Sequence, residues 1–134
     1  MGVYADLHVH TTASDGTLAL ADLPGAAAEA GVRAVAVTDH DRVHPGLDAP
    51  VLAADDLLVV RGVELRVAAP AERVDLLGYA VERTPALTDE IDRIQRGRVE
   101  RGRAIIDAVE EYLEVDLPID AREGIGRPHI ARAV

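Results

Sequence analysis

The chain has 134 residues with 24 acidic and 14 basic side chains, for a formal net charge of −10. That length suits one domain around one core, and the acidity disfavours passive adherence to a nucleic-acid backbone or an anionic membrane, so no stable nucleic-acid binding is expected. With no cysteine present, disulfides and thiolate metal sites are excluded, and any metal must rest on His, Asp or Glu.

Val3 to His10 alternates and is rich in β-formers, which predicts a strand running into the loop-forming stretch Thr11-Thr12-Ala13-Ser14-Asp15-Gly16. Leu18 to Ala30 predicts a helix in which Leu20, Leu23, Ala27 and Ala30 share a face and Gly31 supplies the stop; Pro24 puts the start of the helix proper only a few residues before it. Val32 to Val37 is a short apolar run of the kind buried on both faces of a sheet, ending in Thr38-Asp39-His40-Asp41. Gly46 to Asp55, broken by Pro50, predicts a further helical stretch. Leu57 to Val63 reads as a third strand ending at Glu64, and Val74 to Val81 as a fourth. Thr84-Pro85 opens a long charged helix in which Leu87, Ile91, Ile94, Ile105, Val109 and Leu113 recur at helical spacing, with Gly97 and Gly102 as weak points. Its arginines Arg98, Arg101 and Arg103 read as solvated. A loop, Gly126-Arg127-Pro128-His129, and the start of a last helix follow. The alternation of strand and helix predicts an α/β fold with a mostly parallel sheet.

In a strand, residues two apart face the same side, so His8 and His10 project together, and Asp15 in the adjoining loop is within reach of the same region. Most H-x-H pairs are no more than polar residues at a strand end. The placement of this one matters, because functional groups in parallel α/β sheets gather at the carboxyl ends of strands. His8 and His10 end the first strand, Asp39 and His40 the second, and Glu64 the third, while Asp75 lies in the fourth. Asp41 reads as part of a turn, and His44 as solvent-exposed. A carboxylate such as Glu64 after a buried strand needs a positive partner: a metal ion is one, and Arg61 or Arg66 is the alternative.

The runs D-L-H-V-H-T-T-A-S-D-G-T at Asp6 to Thr17, A-V-T-D-H-D at Ala36 to Asp41, R-G-V-E-L at Arg61 to Leu65, L-L-G-Y at Leu76 to Tyr79 and G-R-P-H-I-A-R at Gly126 to Arg132 together resemble the PHP (polymerase and histidinol phosphatase) family. They look most like its stand-alone branch, phosphoesterases that hydrolyse nucleoside 3′,5′-bisphosphates and the 5′ ends of short RNAs. The resemblance implies a distorted (β/α)7 barrel with up to three divalent ions, manganese first, with zinc or iron as alternatives. It implies that His8, His10, Asp15, His40 and Glu64 are metal ligands, with Asp75 a further candidate where the family usually carries a histidine. Arg127 and His129 would contact a substrate phosphate, a role a guanidinium's fork suits. Members continue through further strands bearing another ligand histidine and a late Asp-x-His motif, so the expectation is a single partial domain, the N-terminal half of the barrel. Residues 1–81 would form its metal-binding βα units, and residues 82–134 a helical insertion ending in the G-R-P-H loop.

The function so implied is hydrolysis of a small phosphorylated substrate, a nucleotide or a short nucleic-acid end, by a hydroxide on the metal cluster. The alternatives are an inactive metal-binding fragment that needs its missing half, supplied by a complementary chain, and a hydrolase like histidinol-phosphate phosphatase. No stretch has the parts of a signal peptide and no apolar run approaches a membrane span, so a cytoplasmic protein without membrane contact is expected. All the basic residues are arginine, which predicts either adaptation to high salt or a GC-rich genome.

Overall fold

The computed structural model describes residues 4–54, 56–68 and 73–134 of the chain. Val3, at the start of the predicted first strand, and Asp55, at the end of the predicted second helical stretch, lie outside those residues. The chain divides into two compact units, Met1–Thr84 and Pro85–Val134.

The first unit is built on five strands: β1 (Ala5–Val9), β2 (Ala34–Val37), β3 (Val51–Ala54), β4 (Leu57–Ala68) and β5 (Arg73–Tyr79). A 3₁₀ turn at Leu20–Asp22 leads into helix α1 (Leu23–Ala30), with Pro24 in its first turn, where a missing N–H costs nothing. Gly31 ends α1 at φ 69°, the left-handed conformation that glycine adopts without a side-chain penalty. Strand order is β1-β2-β4-β3, with β5 also on β4. Leu23 and Ala27 of α1 pack with Val35, Val37, Leu47, Leu57 and Val59 into a core of small and medium side chains.

The mixed α/β architecture follows the sequence pattern, with two differences. The pairs β1–β2 and β2–β4 are parallel, but β3–β4 and β4–β5 are antiparallel, so the sheet is less uniformly parallel than expected. Residues 51–54 form a strand where a helical stretch was expected. Pro50 would disrupt a helix interior, and the segment pairs instead with Leu57–Val60 of β4. Three of its four side chains are exposed, so backbone hydrogen bonds hold it and no burial pattern marks it.

β4 also runs beyond Glu64, where the third strand was expected to end, because its outer edge passes from β3 to β5 at Arg61. The Arg61 N–H donates to Pro50 O at 2.9 Å, and its carbonyl accepts from Val81 N–H at 3.1 Å. Its guanidinium is buried, donating from Nε to Val81 O at 2.9 Å and from Nη1 to Leu47 O at 3.1 Å. Those carbonyls satisfy a cation that would otherwise be costly to bury.

In the second unit, α2 (Pro85–Leu113) runs unbroken through Gly97 and Gly102, and α3 spans Arg127–Ala131. Gly102 is a contact point rather than a weak one: a Cβ there would stand 2.7 Å from Ile125 Cγ2. Ile106, Ile125 and Ile130 form the unit's buried cluster. Arg101 and Arg103 are exposed as expected, and Arg98 is half-buried.

Candidate metal centre

Three strand ends of the first unit converge. Val9 packs against the core, so His8 and His10 on either side of it face away from that core. Between Asp6 and Val9 the pairing with β2 slips by one residue, a bulge of the kind that re-aims side chains next to sites. β2 lies between β1 and β4, and its Ala36 is fully buried. Beyond β2, the chain is fastened to β4 by Glu64 N–H donating to Asp39 O at 3.1 Å and Asp41 N–H donating to Glu64 O at 2.7 Å. That ladder sets His40 beside Glu64.

The Oε2 atom of Glu64, whose side chain is only 5% exposed, has three imidazole nitrogens around it: His10 Nε2 at 2.8 Å, His8 Nε2 at 3.1 Å and His40 Nδ1 at 3.2 Å. The two Nε2 atoms of His8 and His10 are themselves 3.1 Å apart. On the other side, His10 Nδ1 is 2.8 Å from Asp15 Oδ1 and His40 Nε2 is 3.6 Å from Asp15 Oδ2. Two groups of potential ligands result, His8 with His10 and Glu64, and His10 with Asp15 and His40, each with its donor atoms within 4.8 Å of one another.

His10 has a carboxylate at each ring nitrogen, and a cation held among these groups would offset their negative charge. Ligands about 2.0–2.1 Å from a common ion lie roughly 3.0–3.4 Å apart from one another, close to the spacings around Glu64. Imidazole and carboxylate without thiolate suit zinc, iron and manganese.

The loop that delivers Asp15 is anchored by Asp39, which is fully buried. Its carboxylate accepts from Thr11 N–H at 2.7 Å, Thr11 Oγ1 at 2.8 Å and Ser14 Oγ at 2.6 Å. Gly16 is required where the loop crosses its own start, since a Cβ there would lie 2.3 Å from His10 O. Burial pushes the Asp15 carboxyl up, but the His10 hydrogen bond and the nearby His40 and His10 rings outweigh it and hold the pKa below its ordinary value. Sequence reasoning placed Asp39 at the end of the second strand and gave it no role of its own. The signal that marked Glu64, an acid after a buried strand, applied to it as well.

Glu64 is partnered by imidazoles, whereas Arg61 is spent on backbone carbonyls. Arg66 holds Asp75 in a two-pronged bridge, Nε to Oδ1 at 2.7 Å and Nη2 to Oδ2 at 3.0 Å. Asp75 is in neither ligand group. His44 is half-buried rather than exposed; burial pushes its imidazole pKa down, and Arg83 and Arg42 add to this while Asp39 opposes it. Its Nδ1 accepts from Gly46 N–H at 3.0 Å. Within the second unit, Arg127 is exposed at the first position of α3, and His129 Nδ1 accepts from Gly126 N–H at 3.1 Å. In the neutral ring that bond puts the proton on Nε2.

Among the described residues no helix is long and apolar enough to cross a membrane. The family model of the PHP domain matches residues 6–112. The chain is 31% identical over 109 residues to a 5′-3′ exoribonuclease of Haemophilus influenzae, with 79% of this chain and 39% of that protein covered. It is 33% identical over 100 residues to a 3′,5′-nucleoside bisphosphate phosphatase of Chromobacterium violaceum, with 73% of this chain and 35% of that protein covered. The chain thus spans well under half the length of these relatives. The solved structure of an amidohydrolase from Chromobacterium violaceum, with bound sulfate and no metal, superposes with a TM-score of 0.79 at 28% identity, over 98% of this chain and 49% of that one. With its strand-end histidines and acids in the stretch that the family model spans, this chain belongs to the PHP domain family.

Proposed function

We propose that this chain is the N-terminal part of a distorted (β/α)7 barrel and carries the first half of a divalent-metal phosphoesterase site for a nucleotide or a short 5′-phosphorylated nucleic acid. One observation carries the reading: three imidazole nitrogens surround one buried carboxylate oxygen of Glu64 within 3.2 Å. The names of the relatives supply the substrate class.

His8, His10, Asp15, His40 and Glu64 would hold the metal, with manganese, zinc or iron compatible with their donor atoms. An ion so held supplies Lewis acidity, making water a nucleophile near neutral pH and offsetting charge on phosphoryl oxygens. Glu64 brings the buried negative charge that makes cation binding favourable, and its three imidazole neighbours fix its orientation. His8, with a half-exposed side chain, leaves the cluster open to a substrate. Arg127 would grip a phosphate with its fork, and His129, with Nδ1 used at the start of α3, would donate from Nε2.

The test is elemental analysis of the purified chain beside His8→Ala, followed by phosphate release from adenosine 3′,5′-bisphosphate with added Mn2+. Stoichiometric metal that is lost in the variant, with metal-dependent phosphate release, supports the reading. Equal metal content in both proteins would remove His8 from the ligand set. A chain that holds metal but releases no phosphate would be an incomplete site that requires further strands.

A further inference from the structure

The bulge in β1 decides which way its histidines face. Paired residues of a ladder stand on the same face of a sheet, and Val35 and Val37 of β2 both pack into the core with α1. Their partners in β1 are Asp6 and Val9, so three steps along β1 answer two along β2. By strict alternation from Asp6, His8 and His10 would share the Val35 face. The extra residue puts Val9 on that face instead, and His8 and His10 turn to Glu64. A bulge also bends its strand. Two side chains that a regular strand holds about 6.5 Å apart here bring their ring centroids to 5.0 Å and their Nε2 atoms to 3.1 Å.

Apolar packing does not hold the extra residue in place, since Leu7 within the bulge is 47% exposed. A bulge leaves a backbone group without its ladder partner. The carboxylate of Asp6 meets that need: its Oδ1 accepts from the His8 N–H at 3.2 Å, a charge-assisted bond that reaches across Leu7.

We propose that Asp6 is a positioning residue for the metal cluster, its hydrogen bond to the His8 N–H holding the one-residue bulge that turns His8 and His10 onto Glu64. This rests on the metal-site reading and adds to it a residue that belongs to neither ligand group.

The test compares wild type with Asp6→Ala and with Asp6→Asn, which loses the charge and keeps an acceptor oxygen. In metal-free protein, amide exchange at His8 is expected to quicken roughly tenfold in Asp6→Ala, the worth of one such bond, and to stay near the wild-type rate in Asp6→Asn. The NMR signals of the His8 and His10 rings should move in Asp6→Ala while those of His129 stay. Mn2+ affinity, read by calorimetry, should follow the same order, falling about tenfold or more in Asp6→Ala and little in Asp6→Asn. A merely structural role would lower the unfolding midpoint and leave the ring signals and the Mn2+ affinity of the folded chain where they are in wild type. Unchanged His8 exchange and ring signals in Asp6→Ala overturn the proposal. An Asp6→Asn variant that loses as much affinity as Asp6→Ala also overturns it, because the charge and not the hydrogen bond would then set the affinity. Should Asp6→Ala fail to fold, Asp6→Gln, whose amide oxygen stands one methylene farther along the side chain, reads the same quantities. A wild-type chain that binds no Mn2+ sinks the metal-site reading, while exchange and ring signals in metal-free protein still decide the role of Asp6.

Discussion

Glu64 Oε2 lies 2.8 Å from His10 Nε2, although their strands are not neighbours: β2 runs between β1 and β4. Adjacent strands stand about 4.8 Å apart, so the two side chains meet across the line of β2, beside His40, which bridges to Glu64. Glu64→Gln keeps the shape and removes the charge. Its metal affinity is expected to fall beyond the roughly 100-fold that disturbing a ligand's hydrogen-bond partner costs. Thermal unfolding with added Zn2+ checks this: the midpoint of the wild type should rise with metal concentration, as binding to the folded state requires, and that of the variant should stay flat.

Asp39 is a structural anchor, and its loss should register in stability before chemistry. Asp39→Ala removes an anion accepting three hydrogen bonds from Thr11 and Ser14 and leaves buried donors unpaired. The expected cost is about 3 kcal/mol or more, read from urea unfolding. Metal affinity should drop as well, since the loop carrying Asp15 loses its tether.

Gly16→Ala should be as disruptive as a core substitution, even though Gly16 lies in a loop. The new methyl would fall 2.3 Å from His10 O and 2.4 Å from its carbonyl carbon, and backbone on both sides must move. About 1–3 kcal/mol of destabilisation is expected, with a measurable loss of metal binding because His10 and Asp15 flank the clash. Gly25→Ala, where nothing lies within 4 Å of the added carbon, is the control and should be neutral or better in α1.

The Arg66 hydrogen bond holds the Asp75 carboxyl below its ordinary pKa, with partial burial opposing. A carboxyl depressed in the folded state adds stability that is present above the unfolded value of about 3.9 and is lost as pH falls through the folded value. Both side chains are more than a third exposed, so the contribution at neutral pH is expected to be at most about 1 kcal/mol. Urea unfolding of wild type and Asp75→Asn should show that gap near pH 7 and its shrinking as the pH falls below about 4, through the depressed folded value. A gap independent of pH would contradict the assignment.

The central strands were legible because Val35, Val37, Val59 and Val63 are buried and burial leaves an apolar run in the sequence. His8, His10, Asp15, His40 and Glu64 lie at or beside strand ends and were singled out as ligands by the resemblance to the PHP family, and the structure brings their donor atoms together in two groups. What remained hidden depended on pairing. β3 is an edge segment with no buried stripe, so only its backbone partners define it. The Arg66–Asp75 bridge requires the register of a hairpin, which neither residue encodes. The bulge before Val9 is a one-residue slip against β2 that leaves the composition of β1 unchanged.

The pairing pattern of β4 also implies an order of closure during folding. Its contacts with β3 and β5 join residues close along the chain, such as Ala54 with Leu57 and Ala68 with Arg73, and short loops close at low entropic cost. Its contact with β2, and that of β2 with β1, join segments more than twenty residues apart, Ala34 with Leu58 and Ala5 with Ala34. Such non-local parallel pairings form slowly. His8 and His10 therefore reach Glu64 only when the most remote strand has docked, and uptake of a metal ion by this cluster would mark the last step of assembly.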